Sequence, residues 1–284
     1  MNSQHGERGR LFVVGTPIGN LQDITLRAVE TLKDVAVVVA EDTRRTRALL
    51  SHLGISKKRL LAVDAHATDG RIAKVVAALL DGQNVALVTD AGMPSVSDPG
   101  AALVGAARGQ GIAIEVVPGP SAVTTAAAVS GLVDGPFWFA GFLPRKGKKR
   151  REVMERIRHT HDAVILFEAP NRLHTTLAEL AKSQPTRNAC VCRELTKLHE
   201  ENQLGTLAEL VDASILERGE FTLVLAPVQA EAAAETPEAC IPEMDAMLEA
   251  GSSVRDIARE LAERTGHSRR DLFQLALTRR GKDS

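Results

Sequence analysis

The chain is short of cysteine, aromatics, net charge and long apolar runs, and each shortage removes a class of protein. Its three cysteines, Cys190, Cys192 and Cys240, are odd in number and lack Cys-x-x-Cys spacing, which argues against a disulfide framework and a zinc site. Cys190 and Cys192 alternate within Ala189-Cys190-Val191-Cys192, so they would share one strand face as small buried hydrophobes. The apolar run after Arg8 and Arg10 is only Leu11–Val14, too short for a signal-peptide core. The longest aliphatic run, Val35–Ala40, is strand-sized, against the roughly 20 residues of a membrane span. A soluble, cytoplasmic protein without a membrane partner is expected. A net charge of −1 gives no global positive field, so any basic surface must be local.

What is present suits a large α/β fold. Apolar residues are 44% of 284, enough for a sizeable core and comfortable for two domains. After a polar tail over residues 1–10, expected to be disordered, short β-branched runs alternate with helical patterns. The runs Leu11–Val14, Val35–Ala40, Leu60–Val63, Val85–Val88 and Ile112–Val116 predict strands. Between them, Ile72, Val75, Val76, Leu79 and Leu80 fall on one helical face of Arg71–Leu80. Apolar strands separated by helix-length segments predict a mainly parallel sheet covered on both faces. A boundary near Asp134-Gly135-Pro136 closes a first α/β domain over 11–134. The runs Phe137–Ala140, Ala163–Glu168, Ala189–Arg193 and Phe221–Ala226 predict a second over 135–230, with antiparallel pairing possible. Residues 231–284 read as the end of an Ala- and Glu-rich linker followed by short helices. Ser253 would cap one carrying Val254, Ile257, Ala258 and Leu261, and another would start at Arg269.

Three loops carry more glycine and proline than plain connections need. Gly15-Thr16-Pro17-Ile18-Gly19-Asn20 follows the first strand, without the Gly-x-Gly-x-x-Gly spacing of a dinucleotide turn; alone it could be an ordinary tight turn. In Asp90-Ala91-Gly92-Met93-Pro94-Ser95-Val96-Ser97-Asp98-Pro99-Gly100, Gly92 permits close backbone approach to a ligand. Asp98-Pro99 suits a helix N-cap followed by proline. In Pro118-Gly119-Pro120-Ser121-Ala122, Ser121 can cap the following helix. Three such loops at strand ends of one sheet suggest one small-molecule cleft.

These segments, together with Ala40-Glu41-Asp42-Thr43-Arg44, resemble the tetrapyrrole methylase superfamily. Further matches follow in order at Gly141-Phe142-Leu143-Pro144, Phe167-Glu168-Ala169-Pro170-Asn171-Arg172-Leu173, Arg193-Glu194-Leu195-Thr196-Lys197 and Gly219-Glu220-Phe221-Thr222-Leu223-Val224. The resemblance covers residues 11–226 and is specific through its many linked segments. It implies two α/β domains of tetrapyrrole-methylase type with a cofactor cleft between them, plus a small C-terminal helical segment. S-adenosylmethionine is the implied cofactor, and a homodimer the implied assembly. Within the superfamily the match is to the branch that methylates a cytidine 2′-hydroxyl of small-subunit ribosomal RNA. Carried over by position, Pro17, Asp90, Ala91, Gly92, Val96, Ser121 and Ala122 would contact the cofactor, with Phe167 and Leu195 adding contacts from the second domain. Met93 replaces a usual Thr. Phe167, Ala169 and Asn171 replace Tyr, Ser and His, and Val63-Asp64-Ala65-His66-Ala67 matches only partly.

On the substrate side, Arg145-Lys146-Gly147-Lys148-Lys149-Arg150-Arg151 packs six cations into seven residues after Phe137-Trp138-Phe139 and Phe142. Cations draw phosphates and aromatics can stack splayed bases, although Phe137 and Phe139 on one strand face equally suit a core. Arg145, Lys146, Lys148, Lys149 and Arg150, with Arg172 and Arg193, are the expected RNA contacts. Arg44, Arg45 and Arg47 could face the cleft mouth. A second basic set, Arg255, Arg259, Arg264, Arg269, Arg270, Arg279, Arg280 and Lys282, suits either nucleic acid or a solvated helical face. Methyl transfer to a weakly acidic hydroxyl benefits from a base, or from a cation favouring the alkoxide. Lys197 and Glu168 are the catalytic candidates, each with a structural ion pair or hydrogen bond as its plainer reading. No metal-ligand cluster is apparent. A small tetrapyrrole-like substrate, or a noncatalytic RNA-binding assembly factor on the same fold, remain alternatives. The basic segments oppose the first, and the intact cleft loops oppose the second.

Overall fold

The computed structural model of the chain describes residues 8–63, 69–97, 100–228 and 237–280. The expected Asp98 cap, the His66 segment, Lys282, the tail before residue 8 and the linker over 229–236 lie outside the described residues. The chain divides into two compact units, Met1–Arg158 with Asp162–Ala226, and Pro227–Ser284 with His159–His161.

The larger unit contains two five-stranded sheets. The first is built from β1 (Leu11–Val14), β2 (Val37–Ala40), β3 (Arg59–Ala62), β4 (Val85–Leu87) and β5 (Ile114–Val117), wholly parallel in the order β3-β2-β4-β1-β5. Its helices are α1 (Leu26–Asp34), α2 (Thr43–His52), α3 (Asp69–Leu80), α4 (Ala101–Gly109) and α5 (Ala122–Ser130). Strand residues alternate between two cores. Leu11, Val37, Val39, Val85 and Leu87 meet α3 and α4, while Val14, Val38, Ala40 and Ala86 meet α1 and α2. Near-continuous apolar strands are what a sheet buried on both faces requires.

The second sheet uses β6 (Phe137–Phe142), β7 (Ala163–Glu168), β8 (Asn188–Arg193), β9 (Glu201–Thr206) and β10 (Phe221–Leu225), ordered β6-β7-β10-β8-β9. β6 and β7 pair parallel and the rest antiparallel. α6 (Lys148–His159), α7 (Leu173–Ala181) and α8 (Leu207–Asp212) follow β6, β7 and β9. One face, with Leu166, Val191 and Leu223, packs on Leu173, Leu177, Leu180, Leu207 and Leu210 of α7 and α8. The opposite face, with Ile165, Cys190, Cys192 and Val224, packs on Val123 and Ala126 of α5. α5, which follows the last strand of the first sheet, therefore packs on the second. Cys190 and Cys192 do share a face there, buried with free thiols.

The smaller unit is helical, with α9 (Ile241–Glu249), α10 (Val254–Thr265) and α11 (Arg269–Arg280). Ser253 caps α10 by accepting from the Asp256 amide, and Gly266 ends it at a φ of 74°. Val254, Ile257, Ala258 and Leu261 are buried against Met244, Leu272 and Ala276. Arg264 pairs with Glu243 and Arg279 with Asp245, so part of the basic set ties these helices together.

Candidate functional site

The site begins with topology. β4, β1 and β5 are neighbours in a parallel sheet, so the loops leaving their carboxyl ends meet. Gly15 lies so close to the β5 loop that a Cβ there would sit 2.7 Å from Gly119 Cα and 2.7 Å from Met93 Sδ. Thr16 and Gly92 exchange two backbone hydrogen bonds, of 2.9 and 3.1 Å. Gly92 adopts a φ of 83°, and Ser95 and Ser97 in the same loop also have positive φ, a strain that functional loops retain.

These loops and the facing edge of the second sheet enclose a cavity of about 370 Å³. Seven of the nine expected cofactor contacts line it. Ala91, Gly92, Val96, Ser121 and Ala122 come from the first sheet's loops, and Phe167 and Leu195 from the second sheet. Pro17 and Asp90 do not. Pro17 is buried. The Asp90 carboxylate accepts from the Asp42 amide at 3.0 Å and faces Arg45 at 3.5 Å. Asp42 in turn caps α2, and its carboxyl is held down to about 2, chiefly by the Arg44 hydrogen bond. Arg44 and Arg45 are thus tied to carboxylates. Ser121 sits at the N-cap of α5 without a side-chain capping bond, leaving its hydroxyl and the first amides of α5 for the cavity. Ile18, Phe142, Gly219, Glu220 and Thr222 also line it. Their motifs stand out in the sequence, but a cleft role for them needs the β6–β7–β10 arrangement to be known.

The far wall is held by a strained turn after β8. Glu194 and Thr196 have φ of 53° and 67°, which aims Leu195 at the cavity. Lys197 Nζ donates to Glu194 Oε1 and Glu220 Oε2, each at 2.8 Å, and the Glu220 amide donates to Glu194 Oε1 at 2.9 Å. The turn is clasped to the β1 loop, since the Asn20 amide donates to Thr196 Oγ1 at 3.1 Å. A Cβ on Gly19 would fall 2.4 Å from Lys197 Cγ. Partial burial disfavours the Lys197 charge, but its two carboxylate partners outweigh that and the pKa is raised. Burial likewise opposes the Glu194 charge, but hydrogen bonds from Lys197 and the Glu220 amide leave its pKa lowered. Lys197 is therefore an ammonium at neutral pH, not a proton acceptor.

Glu168 departs from expectation. Its side chain is fully buried; it accepts from the Ala169 amide at 2.8 Å and Thr176 Oγ1 at 2.7 Å, and faces Arg172 Nε at 3.3 Å. A carboxylate so saturated holds structure instead of taking a substrate proton. Two expected RNA contacts also turn inward. Arg150 is buried, bonded to Glu179, Thr176 and the Pro144 carbonyl, and Arg193 is buried against Glu201 at 2.9 Å. Their guanidiniums are spent on internal partners because a buried charge must be paired. Arg145, Lys146, Lys148 and Lys149 are exposed, and Arg172 is partly so. Of the aromatics, Phe139 packs edge-on to Phe167 at 5.0 Å, as a core residue would, while Phe142 stays exposed at the cavity wall.

Comparison with known proteins agrees with this geometry. The family model of the tetrapyrrole (corrin/porphyrin) methylases matches residues 10–211. The ribosomal RNA small subunit methyltransferase I of Synechocystis sp. is 40% identical over 274 residues, 95% of this chain and 98% of its own. That of Thermotoga maritima is 44% identical over 219 residues, 76% of this chain and 98% of its own. Among solved structures, the Thermus thermophilus uroporphyrin-III C-methyltransferase complexed with S-adenyl homocysteine aligns with a TM-score of 0.56 at 19% identity, covering 77% of this chain and 97% of that one. Diphthine synthase aligns at 0.60 with 17% identity, covering 76% and 89%; at such identities the likeness is one of fold. The chain belongs to the tetrapyrrole methylases, and within them to the family of ribosomal RNA small subunit methyltransferase I.

Proposed function

We propose that this protein transfers a methyl group from S-adenosylmethionine to the ribose 2′-hydroxyl of a cytidine in small-subunit ribosomal RNA. The observation that carries the reading is the cavity closed by three Gly- and Pro-rich loops beside an exposed basic segment. It extends to this chain what the names of its relatives say of them. The residues fit the cofactor. The apolar walls from Ile18, Ala91, Val96 and Leu195 suit its uncharged parts, and the open N-terminus of α5 with the Ser121 hydroxyl suits a carboxylate. The close approach of Gly15 to Gly119 holds together the loops whose neighbouring residues line the cavity. When bound, S-adenosylmethionine supplies an electrophilic methyl group on its sulfonium.

The protein's task is then placement and charge. Holding the acceptor oxygen in line can contribute roughly 7–11 kcal/mol in favourable systems. Glu220 is on the cavity wall with an open side chain, unlike the saturated Glu168. We assign it the hydroxyl proton, with Lys197 holding it in place and favouring a developing alkoxide. The protein works in the cytoplasm; among the described residues no helix is long and apolar enough to cross a membrane. It works as a homodimer, for which the exposed Leu204 on edge strand β9 and Leu198 just before it offer apolar surface.

The deciding experiment is transfer of labelled methyl from S-adenosylmethionine to small ribosomal subunits lacking the modification, followed by nucleoside analysis. Labelled 2′-O-methylcytidine is expected. Cofactor binding without label in RNA overturns the reading in favour of a small-molecule acceptor. In the active enzyme, E220Q is expected to lower kcat about 100-fold, the lower end of general-base contributions, with cofactor affinity kept. An unchanged kcat removes Glu220 from the proton's path.

A further inference from the structure

A second cavity, of about 720 Å³, adjoins the first and shares Phe142 and Ala169 with it. It lies between the β6–α6 loop and the start of α7, and its lining has an unusual charge pattern. Arg145, Arg150 and Arg172 contribute to it, and no carboxylate does. The acidic partners stand behind the wall, where Glu179 holds Arg150 and Glu168 holds Arg172.

The wall is rigid. Arg150 Nη1 and Arg172 Nη2 donate to the carbonyls of Pro144 and Leu143 at 3.1 and 2.9 Å. Thr176 Oγ1 accepts from Arg150 Nη2 at 3.1 Å while donating to Glu168. Three further donors face the same space. Arg145, Asn171 and Thr175 are exposed cavity-lining side chains that make no hydrogen bond or ion pair among the described residues. Lys146, next to Arg145 in the chain, and Lys149 are exposed as well.

Phe142 stands at the junction of the cavities. A β-bulge at Gly141, whose φ is 65°, shifts the register of β6 on β7 after Phe139. A regular strand would put Phe139 and Phe142 on opposite faces. With the bulge, both rings approach Phe167, at 5.0 and 5.4 Å, and Phe142 remains 57% exposed. An exposed ring held at a tilt against a second ring is a platform for a flat ligand.

We infer that this cavity is a nucleotide subsite, in which a phosphodiester next to the acceptor nucleotide is held by Arg145, Asn171 and Thr175 while a base stacks on Phe142. The inference rests on the RNA reading above and adds where the strand runs. Free donors without a competing carboxylate suit a phosphodiester. The shared wall places this anion beside the nucleotide whose ribose enters the cofactor cleft.

The test is binding of a fluorescein-labelled single-stranded RNA, followed by anisotropy across a range of salt, with saturating S-adenosylhomocysteine. The combined variant R145A/N171A/T175V is expected to weaken binding roughly tenfold or more and to flatten the salt slope by about one counterion unit. F142A is expected to weaken binding to a similar degree, roughly tenfold, with the slope kept, and F142W to restore it. Calorimetric titration of S-adenosylhomocysteine accompanies each. The triple variant touches only the second cavity and is expected to keep cofactor binding, whereas Phe142 also lines the first cavity and is judged by F142A against F142W. A triple variant that loses cofactor binding together with RNA overturns the assignment of these residues to a separate subsite. Wild-type affinity and slope in the triple variant, or no RNA binding by the wild type, overturns the subsite. RNA binding that responds as expected, without methyl transfer to small subunits, leaves the subsite standing and overturns the proposed reaction.

Discussion

At the scale of single residues, the same side-chain type plays opposite parts according to what surrounds it. Glu168 and Glu220 both belong to the first cavity's lining, yet one is sealed by three donors and the other opens to solvent. Removing the sealed one strands Arg172 and Thr176, and E168A is expected to lower stability by about 3 kcal/mol, the cost of breaking a buried pair. Urea unfolding measures this. The pH profile of kcat in E168Q should keep its shape, and a lost limb would return Glu168 to the chemistry. Lys197 makes a second residue-scale prediction. The raised Lys197 pKa contributes stability that is full below its ordinary 10.5 and disappears as pH climbs through the raised value. The lowered Glu194 pKa contributes stability that is full above 4.5 and disappears as pH falls through the lowered value. The stability lost in K197M should therefore be flat between about pH 5 and 10 and shrink on either side of that window. Paired unfolding curves across pH decide it, and a slope near neutrality would mean that Lys197 titrates there.

At the scale of elements, the meeting of three loops depends on two glycines that leave no space for a methyl group. G15A would drive a Cβ into Gly119 and Met93, both 2.7 Å away, with backbone on one side. It is expected to abolish S-adenosylhomocysteine binding by calorimetry; binding at wild-type strength would show that the loops can part freely. These elements were legible because a buried parallel strand has to be apolar. Leu11–Val14 and Ala163–Glu168 have the same bounds in sequence pattern and structure, and the others differ by a few residues. β9 was not, because Glu201-Asn202-Gln203-Leu204-Gly205-Thr206 is a half-solvated edge strand with no apolar alternation. The basic run likewise reads as one solvated segment until α6 begins at Lys148 and turns Arg150 beneath Pro144. That the first sheet's loops would line a cleft was readable from their Gly and Pro density, while the individual residues were given by the resemblance. The second cavity was not, since a bulge and two inward arginines leave no pattern in the sequence.

At the scale of the whole molecule, the two units are separate in their cores. Leu143, Ile165 and the other buried side chains of the two-sheet unit pack among themselves, and Met244, Ile257, Leu261 and Leu272 form the core of the helical one. The cofactor cavity is lined wholly by residues between Ile18 and Thr222, and the methylase family model ends at residue 211. The Thermotoga maritima relative matches over 98% of its own length with 219 residues, so it is about as long as the two-sheet unit alone. A chain ending at Ala226 keeps all ten strands of the described residues and the lining of both cavities, and its stability comes from burial within its own two sheets. It is expected to unfold in one cooperative transition and to bind S-adenosylhomocysteine with the affinity of the full chain. Arg255, Arg269, Arg270 and Arg280 on the helical unit are exposed, whereas Arg264 and Arg279 are engaged with Glu243 and Asp245. If the exposed four meet RNA, the shortened chain will show a higher KM for small subunits and a shallower salt dependence at unchanged kcat. Equal KM and slope in the two proteins would confine substrate recognition to the two-sheet unit, and failure of the shortened chain to bind cofactor would show that the cores are not independent.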